Sequence, residues 1–400
     1  MFSSLKVKTF RFYWLGMFIS LVGTWVQSVA QSWLMFELTQ SAFLLGLVGF
    51  LSSIPIFALS LFGGVLADRM NKKKILLITQ NIFMFLAFLL AILTQAKLIT
   101  PEHIMIIALA NGIVMAFDAP ARQSMVAELV GRQYLLNAIA LNSAAFNSAR
   151  IIGPALAGIL IAAIGMSGCF YINGVSFLAV IIALLVINLN NKNNRKKAPE
   201  NFFIKDLSEG LKFIKDNRTI LLLILMVGVI SLFGISYVIL MPVFANEVLG
   251  AGVKGLASLM SSAGAGALAG ALILARLGDF KHKGKLLVVS SLVFSVSLML
   301  FSLSKVYLFS VIMLIFIGWA SITATGLINT LLQTLAPDEL RGRAMSAFML
   351  TFAGFMPFGN LLAGALAHTF GVSVAVFFGG AACLIFFTAL NLLYPSIKDI

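Results

Sequence analysis

Twelve apolar stretches, each about long enough to cross a bilayer, alternate with polar connections along the chain. A hydrocarbon core of about 30 Å is crossed by about 20 apolar residues in a helix. The predicted spans lie approximately at residues 12–36, 43–67, 75–95, 103–127, 135–164, 167–189, 219–246, 255–277, 285–304, 307–334, 342–369 and 371–394. Because most connections are short, neighbouring helices should be antiparallel. The pattern predicts an all-α membrane protein with 12 transmembrane helices.

One connection is much longer than the others. Residues 190–218 begin with "NNKNNRKKAPENFFIKD" and form the only long polar segment. This segment separates the predicted helices into two groups of six. We therefore expect an N-terminal six-helix bundle at residues 1–189, a cytoplasmic linker at 190–218 and a C-terminal six-helix bundle at 219–400.

Composition strengthens the membrane assignment, and the charge distribution orients the protein. Of the 400 residues, 60% are hydrophobic and 10% are charged, which is too apolar for a water-soluble fold. If the N-terminus is cytoplasmic, the outside loops carry only Lys97, Lys254 and Lys305, whereas the inside loops and tails carry 23 of the 28 Lys and Arg residues. This asymmetry follows the positive-inside rule and explains the net charge of +14 without a nucleic-acid partner. We expect an integral plasma-membrane protein, in a bacterium an inner-membrane one, with both termini cytoplasmic.

The sequence lacks the motifs of the common enzymes and cofactor-binding proteins. The first apolar stretch continues past twenty residues without a cleavage signal, so we expect it to remain as a membrane anchor. Cys169 and Cys383 lie in apolar stretches, and neither has a metal-binding spacing. No phosphate-binding loop, HExxH or G-x-S-x-G pattern occurs. We expect no enzymatic activity, no bound metal and no cofactor.

The two halves contain similar segments in the same order. "ADRMNKKKILL" follows the second predicted helix and "GDFKHKGKLL" follows the eighth, so that Asp68 corresponds to Asp279. "GPALAG" at 153–158 in the fifth helix corresponds to "GNLLAG" at 359–364 in the eleventh. A duplication of this kind is typical of transporters that bind their substrate between the repeats, near the membrane midplane.

With these features the chain resembles the major facilitator superfamily. "GGVLADRMNKKK" is similar to the superfamily signature G-x-L-A-D-R-x-G-R-K, with Asn71 in place of a glycine. Further stretches resemble the branch that contains the enterobactin exporter and macrolide efflux proteins: "FDAPARQSMVAELV", "NSARIIGPALAG", "LMPVFANEVLGAG" and "LAPDELRGRAMS". The resemblance implies a twelve-helix transporter that works by alternating access of its two halves.

The resemblance also implies a cytoplasmic gate in the segment between helices 2 and 3. Its residues would be Gly64, Asp68 and Arg69, with Asp279 as a weaker counterpart. We expect Asp68 near the start of helix 3, where the helix dipole favours a carboxylate, and Gly64 at a close helix crossing. Asn71 should preserve the turn, since asparagine tolerates the left-handed conformation. The alternative is that the lysines in this segment only hold the topology.

Three charged residues fall inside predicted spans. Asp118 and Arg122 lie one turn apart on helix 4, and Arg150 lies on helix 5 at a similar depth. A charge near the bilayer centre costs about 2.5–3.5 kcal/mol, so it normally faces a partner or a wet cavity. Two interpretations stay open: the three charges neutralise one another and tie the helices together, or Asp118 binds and releases the coupling proton.

Uncharged polar side chains follow single faces of several predicted helices. They could line a substrate cavity or hold the helices together by hydrogen bonds. The candidate cavity residues are Thr24, Gln27 and Gln31 of helix 1, Asn111 of helix 4, Asn147 of helix 5, Asn329 and Gln333 of helix 10 and Asn360 of helix 11.

A second segment, "RIIGPALAG", resembles the antiporter motif of helix 5. Gly153, Pro154 and Gly158 would allow a bend and tight packing, although the upstream glycines of the motif are missing. The resemblance favours export over uptake. In helix 8, Gly266 and Gly270 have a GxxxG spacing, which is typical of helix packing.

Together these features predict a secondary transporter. We expect proton-coupled export of a small amphipathic molecule, such as a drug-like compound, a siderophore or another metabolite, by a monomeric protein in the lipid bilayer. A proton-linked importer or facilitator of the same fold is the main alternative, and a lipid-translocating protein is a more distant one.

Overall fold

A computed structural model describes residues 3–187, 214–278 and 280–399. Eleven helices in these ranges are long and apolar enough to cross a membrane. One of them, Gln133–Val186, is broken at Gly165, whose φ of 73° is a left-handed value that suits glycine. It therefore counts as two helices, and the predicted twelve-helix fold is confirmed.

The helices are numbered here in chain order. Their bounds are α1 Lys8–Thr39, α2 Ala42–Arg69, α3 Lys72–Gln95, α4 Pro101–Gly131, α5 133–164, α6 166–186, α7 Arg218–Val248, α8 Gly252–Leu277, α9 Lys283–Ser302, α10 Tyr307–Leu335, α11 Asp338–Phe370 and α12 Val372–Leu393. Residues 188–213, which include most of the predicted linker at 190–218, and Asp279 lie outside the described residues.

Helix α7 is the least regular of the twelve. It is α-helical from Arg218 to Val229 and then continues through a π-helical segment, Ile230–Gly234, and a 3-10 segment, Ile235–Leu240. Pro242 follows this irregular segment. Because proline has no backbone N–H and its ring crowds the preceding turn, a regular helix cannot pass through this position undisturbed.

The chain forms two compact units. The first contains Met1–Asn193 together with Ala245–Ser261, and the second contains Asn194–Phe244 together with Ser262–Ile400. The end of α7 and the beginning of α8 thus belong to the first unit, although they follow the linker in the sequence.

Glycines mark the closest helix crossings in both units. In the first unit, a Cβ added to Gly153 of α5 would lie 2.3 Å from the Cβ of Trp25 in α1. In the second unit, a Cβ added to Gly359 of α11 would lie 2.4 Å from the carbonyl oxygen of Leu232 in α7. These two glycines begin the repeated "GPALAG" and "GNLLAG" segments, so the repeat preserves the same crossing in each unit.

The GxxxG spacing in α8 also serves packing. A Cβ on Gly266 would lie 1.9 Å from the carbonyl oxygen of Ile315, and one on Gly270 would lie 2.7 Å from that of Trp319. Both neighbours belong to α10. The packing interpretation of this segment is therefore correct.

Candidate functional site

Asp118 of α4 is the most deeply buried charged side chain that the structure describes in the first unit, with 1% of its surface exposed. One carboxylate oxygen, Oδ1, accepts hydrogen bonds from the Thr79 hydroxyl at 2.7 Å and from the Gln80 amide nitrogen at 2.8 Å. The other, Oδ2, accepts from Nε and a terminal nitrogen of Arg122 at 3.0 and 2.7 Å. Four donors from α3 and α4 thus compensate the buried charge.

The pairing of Asp118 with Arg122 follows from helix geometry. Residues four apart on a helix lie on the same face, and a guanidinium can reach back one turn to a carboxylate. The Arg122 side chain is 22% exposed, whereas that of Asp118 is 1% exposed. The arginine side chain therefore extends from the buried carboxylate toward the surface of the unit.

Tyr13 of α1 adds a polar group to the surroundings of this pair. The residue is completely buried, and its hydroxyl has no hydrogen-bond partner among the described residues. The tyrosine belongs to a hydrophobic cluster that also contains Met17, Ala121 and Met125.

Arg150 does not join this group. It lies half-buried on α5, and the structure gives its guanidinium no ion pair or hydrogen bond within the described ranges. The reason is local: donors from α3 and α4 already occupy the Asp118 oxygens. The expected network of three charges is therefore a pair, and the pair has two neutral partners, Thr79 and Gln80, that sequence reasoning missed.

The polar face of α1 is divided between two environments. Gln27 is buried and accepts a hydrogen bond at 2.7 Å from the amide nitrogen of Asn173 in α6, and Ser176 donates to the Asn173 side-chain oxygen at 3.1 Å. The Gln27 nitrogen lies 3.5 Å from the Gln31 side-chain oxygen. Thr24, in contrast, is exposed and donates only to the carbonyl of its own helix at Ser20. Gln27 thus links α1 to α6, and Thr24 remains accessible.

The other candidate cavity residues lie apart from the Asp118 pair. Asn147 is half-buried and donates to the Ser143 carbonyl oxygen at 2.8 Å. In the second unit, Gln333 donates to the side-chain oxygen of Asn329 at 2.6 Å. Asn111 is half-buried and Asn360 is 5% exposed. Among the described residues, no hydrogen bond joins these candidate cavity residues to Asp118 or Arg122.

The segment between α2 and α3 differs from its predicted geometry. Asp68 lies in the last turn of α2 and not at the start of α3. Its carboxylate is therefore near the negative end of a helix dipole, and not near the positive end that we expected to favour it. Asp68 and Arg69 are exposed, and among the described residues neither side chain has a hydrogen-bond or ion-pair partner. Asn71 has a φ of −69° and caps α3, accepting a hydrogen bond from the backbone N–H of Lys74. The predicted left-handed turn is wrong because an N-cap asparagine has taken its place.

The glycine at the close crossing is also one residue away from the predicted one. An added Cβ on Gly64 would meet no atom within 4 Å, whereas one on Gly63 would lie 2.1 Å from the Ala116 carbonyl oxygen of α4. The prediction for Gly64 was wrong because the sequence does not show which of two adjacent glycines faces the neighbouring helix.

Two of the lysines have defined partners. Lys72 forms an ion pair with Glu128 of α4 at 2.5 Å. The Lys73 ammonium group donates to the carbonyl oxygen of Ile187 at 2.8 Å, at the C-terminal end of α6. A cation at a helix C-terminus satisfies carbonyls that have no partner within the helix. These lysines join the beginning of α3 to the ends of α4 and α6.

The antiporter-like motif of α5 lies in a closely packed region of the first unit. A Cβ on Gly158 would lie 2.7 Å from the Cβ of Ala257 in α8, and Pro154 is buried next to Gly153. An open cavity of about 750 Å³ lies beside this contact. It is lined by Ala155, Gly158, Ile159, Ala162, Ala163, Lys254, Ala257, Ser258 and Ser261.

The arrangement of helices matches solved membrane transporters over nearly the whole chain. A bacterial homologue of the human lysosomal transporter Spinster, in an inward-facing and occupied conformation, has a TM-score of 0.77 at 13% identity, with 98% of each chain covered. A D-xylose-proton symporter has a TM-score of 0.76 at 12% identity, with 97% of this chain and 99% of that chain covered. The fold is that of the major facilitator superfamily.

Sequence comparison identifies the family of the chain. It belongs to the transmembrane secretion effector family of this superfamily, which matches residues 1–398. The staphyloferrin A transporter of Staphylococcus aureus is 25% identical over 366 residues, which cover 90% of both proteins. The enterobactin exporter EntS of Citrobacter koseri is 28% identical over 337 residues, which cover 84% of this chain and 79% of that protein. The chain is thus a small-molecule transporter and not an enzyme.

Proposed function

We propose that this protein exports a small amphipathic molecule of the siderophore class and that proton entry drives the export. The names of its relatives support the substrate class: one is a transporter of staphyloferrin A, and others are exporters of enterobactin. The observation that carries the coupling proposal is the buried ion pair of Asp118 and Arg122.

Asp118 is suited to bind the coupling proton. Burial of a carboxylate in the interior of a membrane protein is costly, and the cost is offset only by the donors that surround it. Protonation removes that charge and weakens the attraction to Arg122. The same event can therefore change helix packing in the first unit, which an alternating-access transporter requires.

The polar residues of the predicted cavity are proposed to contact the substrate. Thr24 and Gln31 of α1 present neutral hydrogen-bonding groups, and Asn111, Asn147, Asn329, Gln333 and Asn360 would add others. Gln27 would act indirectly, because its bond to Asn173 orients the polar face of α1. Neutral donors and acceptors bind an amphipathic molecule without requiring it to carry a fixed charge.

The exposed Asp68 and Arg69 are proposed to form the gate on the cytoplasmic side, together with Gly64 and Asp279. Their exposure leaves both side chains available for partners in another conformation. Gly153, Pro154 and Gly158 are proposed to keep α5 packed closely enough to prevent leakage. Both termini are proposed to lie in the cytoplasm of a bacterium.

Inverted membrane vesicles test direction and coupling together. With an acidic lumen, we expect the protein to accumulate iron-free siderophores, or ethidium as a drug-like probe, inside the vesicles. Asp118→Asn should abolish accumulation against a gradient while leaving the protein in the membrane. Glu37→Gln, at an exposed acidic residue of α1, is the matched control and should accumulate the probes normally.

Two outcomes would contradict the proposal. If acid-lumen vesicles extrude the probes, the protein is an importer of the same fold. If Asp118→Asn concentrates them with an unchanged proton stoichiometry, Asp118 is only a structural partner of Arg122. Thermal stabilisation of the purified protein by members of the siderophore panel would identify the substrate independently of transport.

A further inference from the structure

Two buried acceptor atoms at the Asp118 site have no hydrogen-bond partner. They are the hydroxyl oxygen of Tyr13 and the side-chain oxygen of Gln80, and only five buried side-chain polar atoms of the described residues share this property. Both residues are completely buried. Folded proteins leave few such atoms unpaired, because each one is costly. Gln80 donates to Asp118, and Tyr13 packs in the cluster that contains Ala121, the neighbour of Arg122, so a change at the ion pair can give both atoms a partner.

The two protonation states of Asp118 require different partners. In the charged state, Asp118 accepts four hydrogen bonds, two of them from Arg122. In the protonated state one carboxyl oxygen becomes a donor, and the arginine loses its counter-charge. Arginine does not release its own proton, and the neutral carboxyl that remains is a weaker acceptor for its N–H groups, so a second acceptor would stabilise the guanidinium.

Tyr13 offers such an acceptor. Its hydroxyl has free lone pairs, and the residue packs in the same buried cluster as Ala121, the neighbour of Arg122 on α4. Tyr134 of α5, a further titratable side chain, packs against this hydrophobic cluster and is partly buried. By the same logic, rotation of the Gln80 amide would present its unpaired oxygen to the carboxylic acid proton.

We propose that the Tyr13 hydroxyl accepts a hydrogen bond from the Arg122 guanidinium whenever Asp118 is protonated. Tyr13 is then a positioning residue: it holds the arginine away from the carboxyl while the proton is bound. This inference rests on the proposed role of Asp118 as the proton-binding residue. It adds a second hydrogen-bond partner for Arg122, which keeps its charge after protonation has removed that of Asp118.

A double-mutant cycle on the full-length protein tests the pairing without a transport assay. Asp118→Asn resembles the protonated state, so the Tyr13–Arg122 bond should be present in that variant. Tyr13→Phe should therefore lower the thermal unfolding temperature of the Asp118→Asn protein and leave that of the otherwise wild-type protein, at neutral pH, unchanged or slightly higher. Equal effects in both backgrounds would overturn the proposal, because a purely structural tyrosine gives no such coupling.

Ser291→Ala is the matched control. It removes another buried hydroxyl without a partner, from α9 of the second unit. We expect it to have the same effect in both backgrounds.

Transport gives the second readout. Because Tyr13→Phe removes a partner of the protonated state only, the pH midpoint of proton-driven probe accumulation should fall by about one unit, a tenfold weaker proton binding. An unchanged midpoint would reject Tyr13 as a positioning residue while leaving the proposed function intact. If Asp118→Asn itself remains coupled, the proposed function fails, and the double-mutant cycle alone still decides whether Tyr13 pairs with Arg122.

Discussion

At the residue scale, Asp118 and Asp68 represent two different uses of a carboxylate. Asp118 is buried and receives four hydrogen bonds. Asp68 is exposed, and no described side chain pairs with it. Removing one partner of a buried, paired charge is strongly destabilising, whereas an exposed, unpaired charge costs little to replace. The two residues can therefore be separated by experiment.

Asp68→Asn should suppress transport without loss of stability. The substitution keeps the size of the side chain and removes a charge that contributes no described contact, so we expect a change in unfolding free energy within about 0.5 kcal/mol. Probe accumulation in vesicles should fall at least several-fold if Asp68 is a gate residue. Glu37→Gln serves again as the control, and normal transport by Asp68→Asn would contradict the gate role.

Thr79→Val measures how much the neutral donors matter to the buried pair. Valine has nearly the shape of threonine, but Asp118 would keep only three of its four donors. We expect a loss of about 1–3 kcal/mol in stability, because a hydrogen bond to a buried charge is lost. Thermal unfolding in detergent measures the loss. Thr94→Val is the control, since Thr94 donates only to a carbonyl of its own helix.

Pairs within one helix could be predicted from the sequence, and pairs between helices could not. The spacing of Asp118 and Arg122 placed them on one face, and the structure joins them. Thr79 and Gln80 were missed because nothing in the sequence shows how α3 is rotated against α4. Asn71 was recognised as unusual, but its role as an N-cap depends on where α3 begins.

At the element scale, small residues determine where helices approach one another. Gly63 and Gly64 are adjacent in α2, yet only Gly63 faces the backbone of α4. A helix rotates by about 100° per residue, because it has 3.6 residues per turn, so neighbouring glycines cannot face the same partner. The sequence therefore predicts a close crossing in this region but not the glycine that makes it.

These two glycines form a matched pair of test positions. Gly63→Ala should destabilise the protein by about 1–3 kcal/mol, because the added methyl group would overlap the Ala116 carbonyl oxygen and force the helices apart. Gly64→Ala should cause no loss, since its Cβ would enter open space. Thermal unfolding of the two purified variants decides the matter, and equal destabilisation would contradict this packing.

The number of helices follows from length and apolarity alone, whereas their irregularities do not. The predicted end of the fifth span at residue 164 and the start of the sixth at residue 167 flank the observed break at Gly165. Glycine supplies the left-handed backbone conformation at that break. The π-helical and 3-10 segments of α7 were not predicted, because hydrophobic periodicity is insensitive to a change of one residue per turn.

At the scale of the whole molecule, the two repeats share packing but not chemistry. Gly153 and Gly359 make equivalent crossings in their own units. The membrane-spanning part of the first unit contains Asp118 and Arg122, and no acidic or basic residue occupies the middle of a predicted span in the second half. Duplication thus preserved the contacts that hold each bundle, while charged residues remained in one half only. Proton coupling should accordingly depend on the first unit.

The orientation in the membrane can be tested with one helix. Lys281 and Lys305 flank α9 and are both exposed, and the positive-inside rule places the first in the cytoplasm and the second outside. In intact cells, a membrane-impermeant maleimide should label Lys305→Cys and not Lys281→Cys. After permeabilisation both should react. Cys169 and Cys383 are fully buried, so the unsubstituted protein should give little background. Labelling of Lys281→Cys alone would reverse the orientation and would contradict the proposed cytoplasmic gate, because Asp68 and Arg69 would then lie outside the cell.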